Sequence, residues 1–317
     1  MRPRKRVKAK KKNPSRLRSY SFTITIVVIA IFIVGSYFQS LPTVEHIPAG
    51  FEFKSQEWMP YVPGDAEYVG YVNYRQAYYV SHNSSLFGTE TLLEIPQLGL
   101  KINPMEITYE LVIQLPEPKY SGSTTILQLT AKRQTDLVND LASVNVTRTH
   151  LPLNYDGHMV YELLMRKFGD QNLNLGYMTV FNNQLMLSND KSSGLQNVEA
   201  ILYHVSSSEK SLFDDITVRQ AVYATGVTDE NYVGLYVGMF STQLNDTKMV
   251  VKAVIGNSDS ISVSRALLFP TSGIALEHLN EAHEIYKNAT SYRILDSWLV
   301  VTYNYPLGKL RSELIGI

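Results

Sequence analysis

The densest cluster of side chains that could bind a metal ion lies between residues 277 and 284. It contains Glu277, His278, Glu281, His283 and Glu284, and its periodicity predicts a helix. His278 and Glu281 are three residues apart and therefore share a helix face, as metal-binding pairs on helices do. His278 and His283 are five apart, so they diverge by about 140° and do not form His-Glu-x-x-His. The spacing favours a solvated acidic helix face over a metal site.

A serine nucleophile beside a lysine base is the second chemistry that a local pattern offers. Ser207 and Lys210 match Ser-x-x-Lys, in which the lysine lies one helical turn after the serine. The motifs that accompany this pair in known enzymes are missing, and residues 206–208 are typical of a loop or a helix cap. Glycine patterns for phosphates and dinucleotides are missing too, and the absence of cysteine excludes thiolate chemistry. The sequence predicts no catalytic residue, no cofactor and no metal.

Tyrosines are concentrated in one short stretch, where they could stack on sugars or anchor a protein partner. Because tyrosine is also favoured in strands, packing within a sheet is the interpretation that we favour. The residues concerned are Tyr61, Tyr68, Tyr71, Tyr74, Tyr78 and Tyr79.

Four asparagines begin Asn-x-Ser/Thr sequons, which would be accessible to glycosylation on an exported domain. They are Asn83, Asn145, Asn245 and Asn288. Asn83 and Asn245 lie in loop-like stretches and are the better candidates.

Charge is distributed very unevenly along the 317 residues. Residues 1–18 hold ten Lys or Arg and no acid, so the remainder carries 19 basic and 29 acidic residues. A body with excess carboxylates is a poor partner for phosphates, which excludes nucleic acid as the ligand of that part.

An apolar segment follows the basic tail directly. Residues 19–44 contain no charge, and the predicted transmembrane helix, 19–40, is long enough to cross the hydrocarbon layer. The positive-inside rule then retains the basic tail, 1–18, in the cytoplasm and exports the rest. A cleaved signal peptide is the alternative, since Val34, Gly35 and Ser36 offer small residues for cleavage. The length of the apolar run favours an uncleaved, single-pass anchor in the cell membrane.

The exported part is predicted to have an α+β fold. Residues 41–64 contain several prolines and read as a stalk or a packed lead-in. Strands are predicted at 65–74, 105–115, 123–130, 159–164, 176–181, 184–188, 231–240, 248–255, 260–268 and 298–302. Helices are predicted at 132–144, 193–205 and 217–223, with the longest at 273–288. Asn182 and Asn183 are predicted to form a tight hairpin turn.

Two internal echoes indicate a duplication. Asp-Ala-Glu-Tyr-Val-Gly at 65–70 returns 164 residues later as Asp-Glu-Asn-Tyr-Val-Gly at 229–234. The run Leu-Met-Leu-Ser at 185–188 is echoed by Leu-Val-Val-Thr at 299–302. The predicted lobes are 65–226 and a shorter 227–317, each an antiparallel sheet with helices on one face. A single α+β domain whose strands share a composition is the alternative.

The layout of these segments resembles the DUF3352 group of membrane-anchored extracytoplasmic proteins of unknown function. In that group a Pro-x-Asp turn introduces a strand, as Pro63, Gly64 and Asp65 do here. A strand pair like that at 178–188 then precedes a helix and a Ser-Leu-Phe segment, here 211–213. The resemblance implies a duplicated envelope domain without an assigned reaction.

Topology and the missing chemistry together favour a noncatalytic, membrane-anchored envelope protein. Its exported domain would present an interaction surface to an envelope or surface-layer protein, with the lipid bilayer holding the anchor. One alternative is an exported hydrolase that acts on envelope material through dispersed residues. The other is a sensor ectodomain for a small ligand, which would need a separate signalling partner because the tail is short.

Overall fold

A fourteen-stranded sheet dominates the part of the chain that the computed structural model describes. That part comprises residues 43–53, 55–81, 93–95, 100–102, 106–130, 146–148, 153–166, 172–182, 184–227, 232–238, 244–257 and 259–315. Its strands are β1 (Val44–Glu45), β2 (Tyr68–Asn73), β3 (Leu93–Ile95), β4 (Leu100–Ile102), β5 (Ile107–Gln114), β6 (Thr124–Leu129), β7 (Val146–Arg148), β8 (Leu153–Tyr155), β9 (His158–Arg166), β10 (Asn172–Phe181), β11 (Gln184–Ser188), β12 (Tyr232–Gly238), β13 (Met249–Gly256), β14 (Ser260–Leu268), β15 (Ser291–Leu295) and β16 (Trp298–Pro306).

The α-helices lie between strands or after the last one. They are α1 (Tyr74–Val80), α2 (Gly194–Ser207), α3 (Ile216–Ala224), α4 (Ser272–Glu277), α5 (Leu279–Ile285) and α6 (Leu310–Ile315). The described elements thus confirm the α+β class that the sequence predicts. Among the described residues, no helix is long and apolar enough to cross a membrane. The basic tail at 1–18 and the predicted transmembrane helix at 19–40 lie outside those residues.

One sheet runs through both predicted lobes. Its order is β1-β15-β16-β14-β13-β12-β2-β5-β6-β11-β10-β9-β7, with β8 also paired to β9, while β3 and β4 form a separate ribbon. Neighbouring strands are antiparallel except for the pair of β1 and β15. The lobes 65–226 and 227–317 therefore meet inside a continuous sheet, at the pair of β2 and β12.

The strand order is symmetric about that central pair. Moving outward from β2, the order is β5, β6, β11 and β10, and moving outward from β12 it is β13, β14, β16 and β15. Tyr71 lies opposite Leu235, which is 164 positions later in the chain. The first sequence echo has the same offset, so the two similar segments pair with each other at the centre of the sheet. The second echo relates β11 to β16, which occupy equivalent places in the order. We propose that this symmetry reflects an internal duplication.

Both faces of the sheet are apolar and both are covered by helices. Alternate residues of the central strands enter opposite clusters, for example Tyr71 and Val72 on β2, because strand side chains alternate between faces. Helices α2 and α3 contribute to the cluster that contains Tyr71, and helices α1, α4, α5 and α6 contribute to the other. The prediction of helices on one face is therefore wrong for the first lobe, because its strands present apolar side chains that need cover on both sides.

Two predicted elements end earlier than the sequence pattern indicates. The predicted strand 65–74 ends at Asn73, whose side chain accepts a hydrogen bond from the Gln76 amide and caps α1. The predicted helix 273–288 is divided at His278 into α4 and α5, so α2 with 14 residues is the longest described helix.

Asn182 adopts φ of 46° in the turn between β10 and β11, as predicted for this hairpin. The predicted helix 132–144 lies outside the described residues.

The described part of the lead-in, from residue 43 onward, is packed against the domain. β1 pairs with β15, and the amide of Ile47 donates to Asp296 Oδ2 over 3.0 Å. Trp58 is 2% exposed, stacks on Tyr71 at 4.3 Å and donates through Nε1 to the Tyr232 hydroxyl over 3.2 Å. Of the two alternatives, the packed lead-in describes this segment, because its large apolar side chains complete the core.

Candidate functional site

A cavity of about 750 Å³ lies beside α2 and is large enough to hold a small ligand or a side chain of a partner. Its walls come from α2, from the turn at 63–65, from the loop after β5 and from the end of β8. The lining residues are Pro63, Asp65, Leu115, Lys119, Tyr120, Tyr155, Gln196, Glu199, Ala200, Tyr203, His204 and Glu209.

Helix α2 is amphipathic, and the two sides of the helix have different roles. Val198, Ile201 and Leu202 are buried in the core cluster on the sheet. The cavity is lined instead by residues that begin at Gln196 and recur at intervals of three and four, ending at His204. The helix ends at Ser208, which adopts φ of 55° and turns the chain so that Glu209 also reaches the cavity.

The loop that carries Lys119 and Tyr120 is fixed to the start of α2 by a network of short hydrogen bonds. The Ser121 hydroxyl donates to Asp190 Oδ2 over 2.7 Å, and Asn197 Nδ2 donates to the Ser121 carbonyl over 2.7 Å. Asp190 Oδ1 also accepts from the backbone of Ser192 and Ser193 at 2.6 and 2.8 Å. These hydroxyl and amide donors hold the pKa of Asp190 well below the ordinary range for an aspartate. The network therefore positions one wall of the cavity relative to α2.

Aromatic rings and carboxylates both line the cavity. Its rings are those of Tyr120, Tyr155 and Tyr203, the last of which is 52% exposed. Lys119 Nζ lies 4.7 Å from the centre of the Tyr120 ring, and its hydrogen bond with that tyrosine raises the pKa of the lysine. Desolvation, followed by the negative charge of Glu199, raises the pKa of Tyr155.

His204 is also one of the lining residues, and only 3% of it is exposed. Burial lowers its pKa, against the opposing effects of Glu209, the Pro60 backbone and Asp65. Proline has no N–H, so the hydrogen bond with Pro60 must run from the imidazole to the carbonyl. Nε2 has no hydrogen-bond partner among the described residues and almost no accessible surface, so Nδ1 is the ring nitrogen that donates to Pro60.

The structure brings together only part of the His and Glu cluster at residues 277–284, for which the sequence favours a solvated helix face. His278 Nδ1 lies 2.8 Å from Glu281 Oε2, Nε2 lies 3.7 Å from Asp246 Oδ2, and the ring stacks on Phe269 at 5.1 Å. His283 instead stacks on Tyr292 at 3.8 Å. Within the described ranges, no group of three or more His, Asp or Glu is arranged to hold a metal ion.

The other predicted pattern, Ser207 and Lys210, gives no sign of a nucleophile and its base. The Ser207 hydroxyl donates to the His204 carbonyl over 3.3 Å, which is a typical contact near a helix C-terminus.

The predicted sequons divide into two groups. Asn83 and Asn145 lie outside the described residues, whereas Asn245 and Asn288 lie in exposed turns. Glycosylation at all four stays a prediction.

Packing explains most of the early tyrosines. Tyr71 and Tyr74 are buried and Tyr61, Tyr68 and Tyr78 are partly buried, while Tyr79 is 73% exposed. The cavity uses other tyrosines, which sequence reasoning missed. The signal that could have found one wall is the polar and aromatic row that begins at Gln196 and includes Glu199 and Tyr203, opposite the apolar side of α2.

Comparison with known proteins gives a structural likeness and no family. No protein-family model matches the chain, and no curated protein shows a significant match. Crystal form III of TP0453 is similar with a TM-score of 0.49 at 9% identity, covering 83% of this chain and 99% of that chain. Form I gives 0.48 at 10% identity, covering 81% and 96%, and form IV gives 0.48 at 8%, covering 81% and 95%. At these identities the likeness concerns the fold alone.

Proposed function

We propose that the chain is a noncatalytic, membrane-anchored protein of the cell envelope whose exported domain binds a partner through the cavity beside α2. The observation that carries this proposal is the cavity itself, in which three tyrosines and a set of polar groups converge from four segments. Tyrosine is enriched where proteins bind partners, because its ring gives contact area and its hydroxyl gives a hydrogen bond. The basic tail and the apolar run that follows supply the anchor and its orientation.

An exported hydrolase is the second candidate, because Asp65, Glu199 and Glu209 line the same cavity. Most glycoside hydrolases also act through a pair of carboxylic acid side chains. If the purified protein hydrolysed envelope polysaccharide and E199Q or E209Q abolished this activity, hydrolysis would be favoured over partner binding as the function. A sensor for a small ligand would need a separate signalling partner, because the basic tail is short.

The proposed topology can be tested with single cysteines, because the chain contains none of its own. Ser206 is exposed on α2, and Ser15 belongs to the basic tail. We expect a membrane-impermeant maleimide to label S206C in intact cells and to label S15C only after the membrane is opened. Labelling of S15C in intact cells, with S206C protected, would show that the topology is the opposite of the one proposed. Cleavage after Val34-Gly35-Ser36 would appear by mass spectrometry as loss of the basic tail and the apolar run from the mature chain.

The binding role can be tested by placing a photoreactive amino acid at Tyr203 in the full chain in its native membrane. Tyr79 gives a matched control, since it is also an exposed tyrosine on a helix but lies on α1, which covers the other face of the sheet. We expect a defined crosslinked species from position 203 and none of that size from position 79. Identical products from both positions would show that the cavity has no selectivity for a partner.

A further inference from the structure

We propose that the cavity beside α2 binds a primary ammonium group on a flexible chain, either the side chain of a partner's lysine or a free polyamine. This inference rests on the proposed function, since it names the ligand chemistry of the same cavity. Three properties of the lining residues support it: their charge, their hydrogen-bonding capacity and their aromatic surfaces.

The charge of the lining favours a cation. Asp65, Glu199 and Glu209 contribute three negative charges, and Lys119 contributes the single positive charge of the residues that line the cavity. The side chain of Lys119 is already engaged with the Tyr120 ring. An anionic ligand would meet net repulsion from this lining, whereas a cation would be attracted to it.

The hydrogen-bonding groups that the acidic residues bring to the cavity are acceptors, since an ionised carboxylate has no donor. An ammonium group has three N–H donors and no acceptor, which complements Asp65, Glu199 and Glu209.

The rings of the lining suit an ammonium group on an alkyl chain. Tyr155 and Tyr203 lie on different elements that border the same cavity. A cation over a tyrosine face is attracted by the ring quadrupole, and the methylene groups of the chain can cover the rest of the ring. A small inorganic cation would use the carboxylates alone and would leave these surfaces unused.

The test is equilibrium binding to the purified full chain in lipid nanodiscs, with three probes. They are a tetralysine peptide, the same peptide with every ε-amine acetylated, and spermidine. We expect the tetralysine peptide to bind, the acetylated peptide to bind at least tenfold more weakly, and affinity to fall with added salt. Binding of spermidine as well would identify free polyamines as a second source, and its failure to bind would identify the lysine side chain.

Variants assign the binding to the cavity. We expect E199Q/E209Q to weaken binding of tetralysine about tenfold, because each exposed ion pair contributes about twofold to fivefold. The double variant E277Q/E284Q is the matched control, since it removes the same charge from exposed positions on α4 and α5. We expect Y203L to weaken binding about twofold to fivefold and Y203F to retain it, because phenylalanine keeps the ring that attracts the cation.

Equal affinity for the acetylated peptide, or equal weakening by both double variants, would overturn the ammonium proposal. Selective crosslinking at position 203 would in that case still support the cavity as the partner site, so the two proposals can fail separately.

Discussion

The packing of Trp58 predicts that the lead-in contributes a large part of the free energy of unfolding of the domain. The indole is 2% exposed, stacks on Tyr71 at 4.3 Å and meets the edge of Phe213 at 5.0 Å. Replacing a buried aromatic residue by alanine removes apolar contact and leaves a cavity, which together cost about 3 to 5 kcal/mol. Because a domain is stable by only about 5 to 15 kcal/mol, we expect W58A to lose a large part of that stability.

The milder variant W58F separates the contributions. Phenylalanine keeps most of the stacking surface on Tyr71 but loses the donor to the Tyr232 hydroxyl. A neutral hydrogen bond contributes about 0.5 to 1.5 kcal/mol, and the lost ring area adds to it, so we expect a loss of about 1 to 2 kcal/mol. Urea unfolding of the detergent-solubilised full chain, followed by far-ultraviolet circular dichroism, measures both. A loss below 1 kcal/mol in W58A would refute the packed lead-in and favour a detached stalk.

Asp190 and Gly176 give two further predictions. The lowered pKa of Asp190 means that its contribution is present above about pH 4, the ordinary range for this group, and is lost as pH falls below it. We therefore expect the difference in thermal midpoint between the wild type and D190N to be largest near pH 7 and to shrink by pH 3; a constant difference would contradict the network. A Cβ at Gly176, with φ of 127°, would overlap the Ser188 carbonyl oxygen, so G176A should lose more than about 3 kcal/mol in urea unfolding. Gly157, with φ of 81° and open space around it, is the control, and G157A should lose only about 1 kcal/mol.

Local patterns predict the strands of this sheet well where turns bound them. The strands Gln184–Ser188 and Ser260–Leu268 have the predicted bounds, because a short apolar run between turn residues has few alternatives. Periodicity is less informative where a cap competes with it. The apolar run at 65–74 continues into Tyr74, but the hydrogen bond from the Gln76 amide to Asn73 begins a helix there.

The division of the long predicted helix coincides with a contact to a residue outside the segment. His278 ends α4 and precedes α5, and its ring stacks on Phe269, which follows β14. The amphipathic pattern continues through this point, since both helices bury small residues, Ala275 and Ala282, against the same cluster. A contact with a residue nine positions away on another element leaves no periodic signal, so the break could not be predicted from the segment alone.

The cavity is harder to predict from the sequence than the sheet is. Its residues come from the turn at 63–65, the loop after β5, the end of β8 and the region of α2, so no local spacing connects them. The order of the sheet brings these segments together, because β6 and β11 are neighbours although 54 residues separate Leu129 from Gln184. Only the polar side of α2 carries a local trace of the site.

The strand order is symmetric, but the helices that cover the sheet are not. This difference predicts how many ligand-binding sites the chain has. β11 and β16 occupy equivalent places, yet α2, which follows β11, packs on one face of the sheet, while α6, which follows β16, packs on the other. β16 continues to Pro306 before its helix begins, and α6 has six residues where α2 has 14. Among its described residues, the second half thus lacks a helix equivalent to α2 on the face that holds the cavity. If the sheet arose by duplication, the duplication did not double the site, and binding titrations should give one ligand per chain.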